Sequence, residues 1–195
     1  MGSLVFDLVQ PERCAGAIEI YDNAFNNCDE ILALIYAKGE GVWSRARVGA
    51  TDVIGVESKT RTNDMAFIEF LSLTNPVPVY EFGQRLYRYL DSYGKRYQVA
   101  FSKIEAACMN RYEINQEYKA HADDGPGHDR VISALVYMND VPEGGETYFP
   151  LFDVSVEPKQ GRLVIFPSNY AYLHEARPPS SGVKYSMAIW TTPFR

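Results

Sequence analysis

The chain is poor in cysteine and histidine, with three of each. Cys14, Cys28 and Cys108 stand at irregular spacing with no Cys-x-x-Cys pair, so they read as reduced packing thiols rather than a disulfide framework or a metal-ligand set. No apolar run approaches the roughly 20 residues that span a bilayer. The opening MGSLVFDLVQPER lacks the basic segment and long apolar core of a secretory signal. Neither membrane insertion nor secretion is expected, and the cytoplasm is the expected location, the host's if the source is viral. Positive charge is also in short supply: 19 Lys and Arg face 25 Asp and Glu, a net charge of -6. Such a balance repels a phosphate backbone, so nucleic acid is not the expected partner, although a local basic patch stays compatible with it. Internal repeats, low-complexity tracts and linkers are missing too. With 195 residues, 46% hydrophobic and 23% charged, the chain is long enough to bury about two thirds of its unfolded surface. A single domain over 1–195 is expected.

What is there falls into two halves. Residues 17–25, AIEIYDNAF, alternate and then meet Asn26 and Asn27, after which Ile31, Leu34 and Ile35 recur at helical spacing as far as Gly39. From Pro78 to Tyr97 the residues Val79, Phe82, Leu86, Leu90, Tyr93 and Tyr97 form an apolar stripe behind Pro76 and Pro78, which predicts an amphipathic helix. Residues 44–64 are polar and aperiodic, either a plain surface loop or a lid over a binding site. After residue 104 come short β-prone runs, AACMNRYEI, EYKAHAD, RVISALVYM, ETYFP, SVEP, RLVIFP, AYLHEA and KYSMAIWTT, separated by turn segments such as GPGHD, NDVPEGG, KQG and RPPSSG. This rhythm predicts an antiparallel sandwich or jelly roll. The expected fold is therefore mainly β in an α+β arrangement: a double-stranded β-helix over about 101–195, backed by helical support over about 1–100.

One constellation carries chemistry. In an extended segment alternate side chains share a face, so His121 and Asp123 of KAHADDG can reach one ion from one side. His174, in AYLHEA on another predicted strand, can complete the set, and two histidines with one carboxylate leave open positions of the kind used by non-haem iron(II) oxygenases. His128 in GPGHD is the competing ligand, on a loop rich in glycine and proline that mounts a rigid site poorly. Asp124 is out of phase with the strand and reads as a turn former before Gly125. Lys184, in GVKYSMAIW, follows His174 by ten residues. A strand lysine ordinarily faces solvent; buried, it would need an anion, and the far carboxylate of a dicarboxylate fits.

From about residue 110 onward the chain resembles the prolyl 4-hydroxylase branch of the 2-oxoglutarate oxygenases, on the ordered elements RYEINQEYKAHAD, RVISALVYMNDVPEGGETYFP, VEPKQGRLVIFP, LHEARP and GVKYSMAIW. The resemblance implies that His121, Asp123 and His174 bind Fe(II) and that Lys184 pairs with the C5 carboxylate of 2-oxoglutarate. It implies that Tyr112 hydrogen-bonds this cosubstrate, with Tyr137 and Thr147 lining the same pocket, and that Arg130 and Trp190 face the substrate. Each of these side chains also has a plainer reading, a packed aromatic or a strand former. The implied reaction couples decarboxylation of 2-oxoglutarate to succinate and carbon dioxide with hydroxylation of a substrate C–H by dioxygen, and L-ascorbate keeps the iron reduced.

Over the first 100 residues the match is weak. Its best point is Arg61-Thr62, where the family often has Arg-Thr-Ser and this chain has Asn63, which also makes Arg61 a candidate substrate contact. A protein or peptide containing proline is the expected substrate. The rivals are the same chemistry on a free amino acid, small metabolite or nucleobase, and a non-catalytic β-sandwich with a structural metal. A structural site would be closed and would need no cation at Lys184. The oligomeric state is left open by the sequence.

Overall fold

The computed structural model describes residues 7–47, 59–69, 75–105 and 107–194. Among these residues the chain begins with β1 (Glu12–Ala15), β2 (Ile18–Tyr21), α1 (Cys28–Tyr36), β3 (Ser44–Arg45), β4 (Asp64–Ile68) and α2 (Val77–Tyr97). There follow β5 (Lys103–Ile104), β6 (Ala107–Tyr112), β7 (Tyr118–His121), β8 (Ile132–Tyr137), β9 (Glu143–Gly144) and β10 (Thr147–Phe149). The last strands are β11 (Val154–Val156), β12 (Leu163–Pro167), β13 (His174–Ala176), β14 (Pro179–Ser181) and β15 (Lys184–Thr192).

A nine-stranded sheet runs in the order β1-β2-β12-β8-β15-β6-β4-β3, with β5 also on β15, and faces a four-stranded sheet in the order β11-β10-β13-β7. All pairings within both are antiparallel. The fold is a jelly roll with two helices behind its larger sheet.

The period of two in the strands decides which residues meet which layer. Ile132, Ala134 and Val136 of β8, Leu163 and Ile165 of β12 and Met187 and Ile189 of β15 pack with α1 and α2 in one apolar cluster. Their alternates turn inward. Ile18, Ile20, Val164 and Phe166 pack between the sheets against Phe149 and Val156. Farther along the same inner face, Cys108, Asn110 and Tyr112 of β6 and Lys184, Ser186, Ala188 and Trp190 of β15 line an open cleft instead.

Helix α2 begins one residue before the predicted Pro78, with proline in its first turn, and buries Val79, Phe82, Leu86, Tyr89, Leu90 and Tyr93. Each full burial of such a side chain contributes about 1.5–3 kcal/mol, so packing rather than propensity fixes this helix. It ends with Lys95 and Arg96 beside its negative pole and with Gln98 at φ 57, where Val99 N–H bonds back to Gly94 O at 2.8 Å. Arg96 and Tyr97 reach Glu19 of β2, which is 0% exposed, at 2.5 and 3.0 Å, and so pin the helix to the sheet. Gly161, in the predicted KQG turn, has φ +77, and a Cβ there would lie 2.1 Å from Phe25 O. Only glycine lets that turn approach so closely.

The structure corrects the expected division at residue 100. The N-terminal part is not helical support alone, because β1, β2, β3 and β4 belong to the same sheet as strands of the C-terminal part. The alternation of residues 17–25 does correspond to β2, which pairs with β12, whereas β1, β3 and β4 carry no sustained alternation and acquire strand geometry from pairing with β2, β4 and β6. Ala171 and Tyr172 at the start of the AYLHEA run fall in a 3-10 turn, Tyr170–Tyr172, rather than in strand, and Pro179–Ser181, expected as a turn, pairs with β9. The supposed lid over 44–64 begins with β3 and ends at the start of β4, and its central part, 48–58, lies outside the described residues.

Candidate metal and cosubstrate site

His121 closes β7 and His174 opens β13, and the antiparallel register sets them directly opposite one another. Asp123 lies two residues beyond His121, anchored by its own N–H to Ser168 O at 3.1 Å. The ligand atoms of the three residues all lie within 4.8 Å of one another. His121 Nε2 is 3.7 Å from one Asp123 oxygen and His174 Nε2 is 3.7 Å from the other. Ligands held about 2.1 Å from one ion lie about 3 to 4 Å apart, so these spacings suit a single metal.

The surrounding bonds aim the ligands. His121 Nδ1 lies 2.8 Å from Lys119 O and His174 Nδ1 lies 3.2 Å from Tyr172 O. A carbonyl only accepts, so each Nδ1 carries the proton and each Nε2 presents its lone pair to the common centre. Ser133 donates to Asp123 Oδ2 at 2.6 Å and is itself 2.8 Å from the Ser168 hydroxyl. Tyr118 stacks on the His121 ring at 3.5 Å, and Phe149 and Phe166 flank His174. Burial, followed by the charge of His174, pushes the His121 imidazole well below its usual range. Burial works to raise the Asp123 carboxyl, yet the two histidines, Ser133 and Trp190 together hold it below the carboxylate range. A neutral imidazole and an ionised carboxylate are the forms that bind a metal.

The three ligand residues open onto a cleft of about 960 Å³, which Lys184, Tyr112 and Thr147 also line. Lys184 is 1% exposed, and its ammonium donates to Gly145 O at 2.6 Å and lies 5.1 Å from the Tyr112 ring centre. Burial pushes this amine down to about 7, with distant Glu146 opposing. Among the described residues no carboxylate comes within ion-pair distance of it. A buried cation without an anion is costly, and a dicarboxylate spanning the cleft would supply one. The donor set thus fits iron(II), and the lysine end fits 2-oxoglutarate.

Tyr137, expected to line this pocket, is not on the cleft wall itself but lies against it, with the Lys184 ammonium 5.5 Å from its ring centre. The phase of β8 turns it into the cluster between the sheets, and its hydroxyl donates to Thr147 Oγ1 at 2.7 Å, with Val156 O a further neighbour at 3.3 Å. Arg61 lines the cleft with its guanidinium 4.6 Å from the Tyr118 ring and bonded to Asn110 at 2.8 Å and Asn63 at 3.1 Å. Arg130 and Trp190 line it as a pair, stacked at 3.8 Å, with Arg130 also held by Glu105 at 2.9 Å. His128 is on the cleft wall but outside the three-ligand cluster. Asp124 does serve the turn, accepting Arg130 N–H at 3.2 Å. Sequence reasoning missed Ser133, Ser168, Asn110 and Tyr118. Strand phase could have found Ser133, which shares the inward face of β8 with Tyr137, but nothing local marks Ser168.

Comparison with known proteins agrees with this geometry. Residues 107–192 match the 2OG-Fe(II) oxygenase superfamily. Prolyl 4-hydroxylase 1 of Arabidopsis thaliana is 30% identical over 168 residues, covering 70% of this chain and 55% of that protein. The chain spans about half the length of the first curated relatives it matches, 48%, 48% and 55%. Among solved structures, the viral collagen prolyl hydroxylase from Paramecium Bursaria Chlorella virus-1, in its 2OG complex, aligns with a TM-score of 0.69 at 21% identity over 93% of this chain and 99% of that one. A Trichoplax adhaerens prolyl hydroxylase, in complex with a hypoxia inducible factor peptide fragment, aligns with a TM-score of 0.71 at 18% identity over 90% of this chain and 83% of that one. Residues 107–192, which carry His121, Asp123, His174 and Lys184, thus match the 2OG-Fe(II) oxygenase superfamily, and the chain is similar to prolyl 4-hydroxylases.

Proposed function

We propose that the chain hydroxylates peptidyl proline in a reaction coupled to decarboxylation of 2-oxoglutarate. The observation that carries this reading is a buried, anion-less Lys184 in the same cleft as an open His-Asp-His cluster. A structural metal site would need neither the vacant coordination positions nor the lysine. Bound iron(II) with 2-oxoglutarate and dioxygen supplies the chemistry that adds one oxygen to a C–H bond and releases succinate and carbon dioxide.

The chain's own residues do the rest. His121, Asp123 and His174 hold the metal on one side and leave the cleft side open. Lys184 takes the far carboxylate and fixes the cosubstrate's direction, with the Tyr112 hydroxyl as its hydrogen-bond partner and Thr147 on the wall, braced by Tyr137. Ser133 and Trp190 keep the carboxylate of Asp123 oriented and ionised. Arg61, Arg130 and Trp190 form the remaining wall, where a peptide would lie. The curated relatives are prolyl hydroxylases, which supports peptidyl proline over a free metabolite. L-ascorbate as reductant, action of residues 1–195 as one domain and a cytoplasmic setting belong to the same proposal. The three free thiols are consistent with a reducing compartment, and among the described residues no helix is long and apolar enough to cross a membrane.

The test is succinate release from 2-oxoglutarate with added iron(II), with and without proline peptides, followed by mass spectrometry for one added oxygen. Succinate release stimulated by peptide, with oxygen on proline, is expected. Stimulation only by a free amino acid or metabolite would move the substrate class, and no succinate at all would leave a metal-binding module.

A further inference from the structure

Ser168 follows β12 directly, is 1% exposed and is not on the cleft wall, yet each of its polar groups is engaged beside the metal cluster. Its N–H donates to Val131 O at 3.1 Å, at the entrance to β8, and its carbonyl accepts the N–H groups of Asp123 at 3.1 Å and Asp124 at 2.9 Å. Its hydroxyl lies 2.8 Å from that of Ser133. Ser133 has a single hydroxyl proton, which it gives to the Asp123 carboxylate at 2.6 Å, because an ionised carboxylate only accepts. The proton between the two serines therefore comes from Ser168. The hydroxyls form a one-way chain from Ser168 to Ser133 to Asp123, in which each bond polarises the next. Ser168 thus holds Asp123 at both ends, the backbone amide directly and the carboxylate through Ser133.

The backbone leaving Ser168 leads straight to a second ligand, His174. The Asn169 side chain accepts Ala171 N–H at 3.0 Å and its carbonyl accepts Tyr172 N–H at 2.9 Å, which closes the turn Tyr170–Tyr172. Tyr172 then presents its carbonyl to His174 Nδ1 at 3.2 Å. The tyrosine is itself fixed, its ring stacked on Phe152 at 5.1 Å and its hydroxyl accepting Ala17 N–H at 3.2 Å. One short capped segment therefore touches Asp123 at its start and His174 at its end. His121 takes its orientation separately, from Lys119 O.

From this geometry we infer that Ser168 is a positioning residue for the metal centre: with the Asn169-capped turn behind it, it fixes two of the three ligands without being a ligand itself. The inference rests on the metal assignment and is independent of which molecule is hydroxylated.

The test reads metal affinity rather than turnover. The full chain is titrated by calorimetry with cobalt(II), which stands next to iron(II) in affinity for such donors. Ser168→Ala keeps the backbone bonds and removes only the hydroxyl, and should weaken binding about fivefold, the worth of one hydrogen bond. In a Ser133→Ala background the same change should weaken it by less than about twofold, since the chain it feeds is gone; a general loosening of the fold would act equally in both backgrounds. Asn169 is exposed and off the cleft wall, so its variants leave the core untouched and decide the matter even where Ser168→Ala folds poorly. Asn169→Ala should weaken binding about threefold, and Asn169→Asp, which keeps the cap, should restore it. Wild-type affinity in either alanine variant, an equal effect of Ser168→Ala in both backgrounds, or an equal loss in Asn169→Asp and Asn169→Ala would each overturn the inference while leaving the metal assignment intact. Wild-type protein that binds no cobalt(II) would remove the metal assignment and the inference with it.

Discussion

His121 and His174 face each other across the β7–β13 pair, their rings 4.4 Å apart, although one ends a strand that follows a turn and the other begins a strand much later in the chain. This register, rather than the spacing of His121 and Asp123, turns two residues of a common short pattern into three ligands on one side of an ion. The same register leaves the opposite side open to the cleft.

The metal assignment predicts that His121→Ala, Asp123→Ala and His174→Ala each lower iron(II) affinity by more than about a hundredfold and abolish succinate release. Loss of a direct ligand must exceed the 10- to 100-fold typical of outer hydrogen-bond partners. His128→Ala should bind metal as wild type does, because His128 lies outside the cluster. Metal titration monitored by calorimetry decides the point; a normal isotherm for His174→Ala would overturn the site.

Ser133 is predicted to matter without touching the metal. Its hydroxyl donates to Asp123 Oδ2 at 2.6 Å, and Ser133→Ala removes that bond inside a buried wall. Metal affinity should fall by about tenfold with little change in the thermal midpoint. Unchanged affinity would show that Trp190 and the backbone suffice to orient the carboxylate.

Lys184 makes a pH-dependent prediction. Burial lowers its amine from 10.5 to about 7, so between those values the unfolded chain holds a proton that the folded chain has released. Stability of the protein free of 2-oxoglutarate should therefore rise with pH across that window, and the cost of burying the ammonium is fully present below it. Lys184→Met should flatten the rise, as seen by denaturant melts at several pH values. Conversely, 2-oxoglutarate restores a partner for the charged form, so its affinity should fall as pH climbs past about 7. Lys184→Ala should weaken 2-oxoglutarate binding by about two to three orders of magnitude, equivalent to roughly 3–5 kcal/mol for a broken buried pair. Lys184→Arg should recover part of this, and metal binding should hold in both variants. Equal 2-oxoglutarate affinity in wild type and Lys184→Ala would remove the cosubstrate assignment.

Away from the site, Glu19 should prove structural. Its buried carboxylate accepts from Tyr21 at 2.6 Å and from Arg96 and Tyr97 of α2. Glu19→Ala leaves Arg96 without its carboxylate partner and should cost about 3 kcal/mol in a denaturant melt, while metal affinity of the folded fraction stays unchanged. A loss of metal affinity in that fraction would tie Glu19 to the site.

Much of the fold and the site is legible in the sequence alone. The α2 stripe from Val79 to Tyr93 and the runs around β8, β12 and β15 are long enough for periodicity to dominate, and they hold the two layers of the core. His121, Asp123 and His174 could be picked out because the chain has only three histidines and two of them stand in strand-like segments, whereas the family resemblance marks Lys184. The residues of β1, β3 and β4 could not, because they are too short to carry a pattern and become strands only by pairing, β1 with the adjacent β2 and β4 with the distant β6.

What the sequence determined by itself was the phase of each long strand, and with it which side chains turn toward the helices and which turn inward. Only the tertiary structure decided what an inward position meets. It set Lys184 on an open cleft but Tyr137 behind Thr147, brought Ser133 and Ser168 to Asp123 and Ser133 respectively, and gathered basic side chains into the cleft of an acidic chain. The reason is that periodicity is local, whereas strand register and sheet curvature sum over contacts between segments far apart in the chain, and those sums decide which side chains share one cleft.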